Sequence, residues 1–235
     1  MENPRRNQLK LKVKPPIVVQ SGFAKVPGKK RALLIGINYF KTPDERDSKS
    51  DISLMKSFLT GLDYDEITVM IDVIEDPYFT KYNVPIKQYI IEAIQKITSK
   101  TKAGDLLFIY YTGWPGVTNN SGIEHTGILT ADKKTLSDDE ISELLADLTP
   151  EAKLVALFDC YAVNNLIGKR ENSVEINGKS DKSGGKITWA FITSLQKMSG
   201  AKSECKFTWN DLLYQIRFQL MTHDYDQLPR LIATD

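Results

Sequence analysis

The stretch DLLFIYYTGWPG, Asp105 to Gly116, decides the fold of this chain. After one acid come six apolar residues with no polar alternation, Leu106 to Tyr111. Such a run suits a strand buried on both faces of a parallel sheet. Thr112-Gly113-Trp114-Pro115-Gly116 then ends it with turn residues. Working outward, three further runs have the same character: RALLIGIN (Arg31–Asn38), EITVMID (Glu66–Asp72) and KLVALFD (Lys153–Asp159). Ile128–Ala131 and Leu231–Ala233 supply shorter strands.

Helical patterns fall between these runs. Asp51–Leu59 places Ile52, Met55, Phe58 and Leu59 on one side, with Ser50 as its cap. Asn83–Ser99 carries Ile86, Ile90, Ile94 and Ile97 on one stripe. Ser137-Asp138-Asp139-Glu140 reads as a capping box that opens a helix with Ile141, Leu144 and Leu145 inward. Two later helices are predicted near Lys186–Met198 and Trp209–Met221. Residues 168–185 are rich in Lys, Ser and Gly and read as a loop. The alternation predicts right-handed βαβ crossovers, an α/β fold with a mainly parallel central sheet and helices on both faces. Sites in such sheets gather at the carboxyl ends of strands, which directs attention to the residues after Tyr111 and after Phe158.

Of 235 residues, 41% are hydrophobic and 26% charged, an ordinary globular composition that one domain can satisfy. The net charge of +1 hides an asymmetry. Residues 1–31 hold nine Lys or Arg and one acid, so a basic arm (1–30) precedes a mildly acidic body (31–235). Two cysteines make no disulfide framework and point to a reducing compartment. The sequence shows neither an apolar signal-peptide core nor a run of membrane-spanning length, so a cytoplasmic location with no membrane span is expected.

At the two strand ends the residues resemble a known family. Tyr110-Tyr111-Thr112-Gly113-Trp114-Pro115-Gly116 is similar to the Y-Y-S-G-H-G-G segment of metacaspases, and Asp159-Cys160-Tyr161-Ala162-Val163 to their D-[SC]-C-H-S segment. The opening R-A-L-L-I-G-I-N-Y, the helix Asp51–Leu59, the D-D-E at 138–140, Thr188-Trp189-Ala190-Phe191-Ile192 and Gln227-Leu228-Pro229-Arg230-Leu231 resemble further family segments in the same order. The resemblance implies a caspase-like αβα sandwich over residues 31–235. It also places Trp114 where the family has its catalytic histidine and Tyr161 where it has its catalytic cysteine. The family's S-G-C-K-D-x-Q pocket strand is missing, and Val174-Glu175-Ile176-Asn177 stands as a reduced version.

Those two replacements remove the mechanism of a cysteine peptidase, which needs a thiolate beside an imidazole. An indole N–H only donates. A phenol with a pKa near 10 is almost fully protonated at neutral pH. The expectation is therefore a pseudo-enzyme that acts by binding. A residual hydrolase built on Cys160 is the alternative, but a one-residue offset on a strand turns Cys160 to the opposite side, and no motif aims His125 or His223 at it. By resemblance, Asp51 and Asp159 line a pocket for a substrate Arg or Lys; the plainer reading has Asp51 capping its helix and Asp159 taking loop amides. The resemblance also puts calcium near Asp138 and Asp139. Calcium takes six to eight oxygens and no acid stands near Ile167-Gly168, so no tight metal site and no cofactor are expected. The expected partner is a protein or basic peptide, an active metacaspase included. A third reading tethers the domain to nucleic acid or acidic membrane through the arm. The arm's lack of aromatics apart from Phe23 argues against nucleic acid.

Overall fold

The structure, a computed structural model, describes residues 26–39, 47–73, 83–120, 123–160, 173–178, 186–200, 208–223, 225 and 229–233. Its elements run β1 (Lys30–Gly36), α1 (Ser48–Thr60), β2 (Glu66–Ile71), α2 (Lys87–Lys100), β3 (Leu106–Thr112), β4 (Pro115–Asn120), β5 (Ile123–Leu129), β6 (Thr135–Ser137), α3 (Asp138–Ala146), β7 (Lys153–Asp159), β8 (Ser173–Gly178), α4 (Lys186–Gly200), α5 (Trp209–Thr222) and β9 (Arg230–Ala233). The central sheet has six strands in the order β2-β1-β3-β7-β8-β9. All its pairings are parallel except β8 with β9, which is antiparallel.

The runs that form β1, β3 and β7 are buried on both faces almost throughout, whereas β2, at the sheet edge, is buried only over Val69–Ile71. Every residue of β3 is buried. Alternate residues feed two cores. Leu106, Phe108 and Tyr110 join Ile52 and Met55 of α1, Phe191 of α4 and Ile216 of α5 on one face. Leu107, Ile109 and Tyr111 join Ile90 and Ile94 of α2 and Ile141 and Leu145 of α3 on the other. The α/β sandwich expected from the alternation of runs is the architecture found.

Several local expectations shift. Helix α1 starts at Ser48 and is capped by Asp47, whose carboxylate accepts from Ser50 N; Ser50 is not the cap. Helix α2 begins at Lys87, later than Asn83, because Pro85 disfavours helical geometry in the residue before it. Its N-cap position, Ile86, has no side-chain acceptor. Instead Asp132, in the turn after β5, accepts from Lys87 N at 2.9 Å. Of the short strand expected at Ile128–Ala131, Ile128 and Leu129 end β5, the middle strand of an antiparallel sheet β4-β5-β6. Strands β4 and β5 pair from Pro115 with Ile128 to Asn120 with Ile123. Within the segment read as a loop at 168–185, residues 173–178 form β8, which continues the sheet beside β7. The remainder of that segment lies outside the described residues.

Of the basic arm, residues 1–25 lie outside the described residues, and 26–30 pack on the body. Val26 packs against the α1 face core, Gly28 N donates to Gly104 O at 3.0 Å, and Lys29 N donates to Asp105 Oδ1 at 2.7 Å. Gly28 is glycine because a Cβ there would strike the Asp105 carboxylate.

Asp132 gives a first prediction. Its carboxylate also accepts from Thr130 Oγ1 at 2.6 Å and pairs with Lys134 at 3.0 Å. Burial raises its carboxyl, but the Thr130 hydroxyl, the Lys87 amide and Lys134 outweigh burial and hold it at about 2 against an ordinary 3.8. Asp132→Ala is expected to cost about 1–2 kcal/mol, the worth of a lost cap and its hydrogen bonds. The native contribution should be complete above pH 3.8 and vanish as pH falls towards about 2. Urea titrations of both proteins across that range would show the curves converging in acid; a constant gap would refute it.

Candidate active site

Strand register fixes which side chains share the carboxyl end of the sheet. Thr112, the last residue of β3, lies opposite Asp159, the last of β7, and Tyr110 lies opposite Leu157. These four face the layer of α1, α4 and α5. Tyr111 and Phe158 face α2 and α3, and so does Cys160, which is fully buried in that core. The one-residue offset thus places Asp159 and Cys160 on opposite sides of the sheet.

The two aspartates converge on one buried cluster. Asp159, with no exposed surface, accepts at Oδ2 from Thr188 N (3.0 Å) and Thr188 Oγ1 (2.7 Å). Thr188 lies in the first turn of α4, so the carboxylate caps that helix from a distant strand, where the helix dipole favours negative charge. The donor is thus a helix amide and not a loop amide. Asp51 Oδ2 accepts from Thr112 Oγ1 at 3.1 Å. The hydroxyl of Tyr110 lies 2.5 Å from Thr188 Oγ1. Thr188 spends its single proton on Asp159, so Tyr110 donates to Thr188. Burial pushes the Tyr110 hydroxyl well above its usual range, and the charges of Asp51 and Asp159 push it further. It therefore stays protonated, a neutral donor between two acids. Asp51, read alternatively as a helix cap, is instead one turn inside α1 and aimed at the sheet.

Trp114, just beyond β3, is held by its backbone. Its N–H donates to Tyr39 Oη at 3.1 Å and its carbonyl accepts from Tyr111 Oη at 2.6 Å. Tyr39 Oη in turn donates to Leu129 O at 2.8 Å. The partly buried indole packs on the α2–α3 core. Gly113 leaves room for this clamp, since a Cβ there would strike the Tyr111 hydroxyl. Tyr39 itself sits at a positive φ of 53°, a left-handed geometry that costs a non-glycine residue about 1–2 kcal/mol. Asp72, at the end of β2, offsets that cost by accepting from Asn38 N (2.7 Å) and Tyr39 N (2.8 Å). Tyr161 lies outside the described residues.

The histidines are engaged elsewhere. His125 Nδ1 is 2.9 Å from Asp139 Oδ2, and His223 Nδ1 is 2.9 Å from Gln219 O with its ring against Trp189. Asp138 and Asp139 do open α3, and the capping box of Ser137 and Glu140 is complete. Asp138 Oδ2 also accepts from Thr126 Oγ1 at 3.1 Å. Tyr110, Thr188 and Tyr39 escape a reading of the sequence. Each looks like core or helix filler; strand register turns the Tyr110 hydroxyl, the first turn of α4 places Thr188, and the left-handed backbone after β1 places Tyr39.

The six-stranded sheet with helices on both faces defines a caspase-like protein. A structure from Geobacter sulfurreducens superposes with a TM-score of 0.65 at 14% identity, covering 88% of this chain and 94% of that one. Pro-Sf-caspase-1 gives 0.57 at 11% identity, covering 91% and 94%. The family described as metacaspase, peptidase C14 domain, matches residues 30–167. This chain belongs to that family. Metacaspase-1 of Meyerozyma guilliermondii is 33% identical over 149 residues, which is 57% of this chain and 35% of that relative. Metacaspase-1 of Scheffersomyces stipitis is 31% identical over 154 residues, 60% and 37% respectively. The chain thus spans little more than a third of the length of these curated relatives.

Proposed function

We propose that this protein is a metacaspase-like domain without peptidase activity that acts by binding a basic segment of a partner protein, an active metacaspase included. The observation that carries the reading is the tryptophan at the end of β3. Trp114 stands where the family resemblance puts the imidazole base, and both of its backbone polar groups are clamped by tyrosine hydroxyls. An indole there can neither take a proton from a nucleophile nor return one to a leaving amine. Cys160 offers little as a substitute, because its side chain is fully buried in the opposite core. Meanwhile Asp51 and Asp159 flank the Tyr110 hydroxyl on the other face. An ionised carboxylate has about four acceptor sites; Asp51, 8% exposed, is the one that meets a guanidinium, and the fully buried Asp159 adds its charge from beneath.

Calorimetry with short Arg-containing peptides tests the binding. Binding in the micromolar to millimolar range is expected, weakened at least about tenfold by Asp51→Asn, since a charge-assisted hydrogen bond is worth about 1.5–3 kcal/mol. Asp51 is the residue to change first, because Asp159 also caps α4. Heat signals that are absent at millimolar peptide, or that ignore Asp51→Asn, would sink the proposal.

A further inference from the structure

The corner where β5 meets the start of α3 collects one imidazole and two carboxylates. His125, Asp138 and Asp139 each offer a ligand atom, and all three atoms lie within 4.8 Å of one another. Backbone register builds the corner. Gly127 of β5 pairs with Ser137 of β6, so His125 and Asp139, two residues further out on either side, come face to face. The base is rigid. Ser137 and Glu140 close a reciprocal cap at the helix start, and Lys87 of α2 grips Glu140 at 2.7 Å. Asp138 is oriented twice, by Thr126 Oγ1 on Oδ2 (3.1 Å) and by Asp139 N on Oδ1 (3.0 Å).

The family resemblance puts calcium at this corner, but the donor set does not fit it. Calcium takes six to eight oxygens in a flexible shell. Here one of three donors is an imidazole nitrogen, and among the described residues only two carboxylates join it. A nitrogen with two carboxylate oxygens, the remaining position left to water, is instead the donor class of a first-row transition ion. We propose that this corner binds a divalent ion of the zinc type, with His125, Asp138 and Asp139 as its protein ligands. Ligand atoms about 2.0–2.1 Å from a tetrahedral ion stand roughly 3.3 Å from one another. The spread already present needs only side-chain rotation, which Asp139, with 71% of its side chain exposed, can make. The amino end of α3 opposes a cation, and two carboxylates more than offset its half-charge.

The test uses the full chain with Cys205→Ser, stripped by chelator, so that no thiol at that position supplies a ligand. Zinc and calcium are titrated by calorimetry, and cobalt is followed by its visible absorption. The expected result is one zinc per chain, a cobalt spectrum of four-coordinate intensity, and no competition from millimolar calcium. His125→Ala should weaken zinc by at least about 10–100-fold, the loss that removing even a supporting residue of a metal site causes. Should that variant fail to fold, His125→Asp serves in its place, with zinc weakened and calcium gained. Zinc binding that is absent, or that survives both changes, would overturn the proposal, as would calcium displacing zinc from the native chain.

Discussion

Fluorogenic peptides with Arg or Lys before the scissile bond are expected to remain intact in the presence of this protein, with or without calcium. Nucleophile and base act as one unit, and removing either from a hydrolase costs roughly 10⁶ in turnover. By the family resemblance, Trp114 stands at one of these positions and Tyr161 at the other. The phenol is protonated at neutral pH and the indole cannot accept a proton. The double change Trp114→His with Tyr161→Cys is expected to leave activity far below that of an active metacaspase. Catalytic groups must be held to about 0.5 Å, and the resemblance offers only Val174-Glu175-Ile176-Asn177, within β8, as a reduced version of the family's pocket strand. The same assay decides both points. Native turnover that Cys160→Ala abolishes would establish the alternative of a residual hydrolase. Robust cleavage by the double variant would show that only two residues had decayed.

Asp105→Ala should produce the largest loss of stability of any single change at a described polar residue. Asp105 sits at the amino end of β3 and is 5% exposed. Its carboxylate accepts from Lys29 N at 2.7 Å, Lys102 N at 2.9 Å and Arg31 Nη1 at 2.5 Å. It therefore ties the lead into β1, the turn before β3 and the start of β1 to one point. Removing it leaves Arg31, 8% exposed, with Glu66 at 3.7 Å in place of its close partner, beside two amides that have lost their acceptor. Breaking a buried pair in this way costs about 3–5 kcal/mol. Burial raises the Asp105 carboxyl, but the Lys102 and Lys29 amides and the Arg31 guanidinium together hold it below the ordinary 3.8. Its contribution is accordingly complete above pH 3.8 and is lost as pH falls through the lower folded value. Urea midpoints at neutral pH measure the cost, and a loss under about 1 kcal/mol would contradict this account.

The proposed zinc corner and the proposed basic-peptide pocket lie on different parts of the fold, and their tests are independent. The corner depends on the β5–β6 register and the start of α3. The pocket depends on the ends of β3 and β7 and on α1 and α4. Failure of one leaves the other standing.

The layers were legible from the residues alone. Apolar runs without alternation are strands of a covered sheet, and the 3.6-residue stripes between them are the covering helices; that β2 is an edge strand, buried only at Val69–Ile71, was not legible. The sequence also holds Trp114 and Tyr161 at the two positions where the family resemblance puts histidine and cysteine. Helix starts were less legible. The cap of α2 is Asp132, 45 residues distant from Lys87, and no local motif announces a cap supplied from another element. The hairpin at Pro115–Leu129 was obscured by Gly and Asn, which mark a turn without telling how far the strands extend around it. Only the tertiary structure decided which polar groups meet. Thr188 reaches Asp159 across 29 residues, Asp51 reaches Thr112 across 61, and Tyr39 holds Trp114 across 75. Side-chain direction along a strand has period two and can be read from the sequence, but register between strands is set by packing of the whole sheet. No motif gave His125 a partner; the pairing of Gly127 with Ser137 put it opposite Asp139.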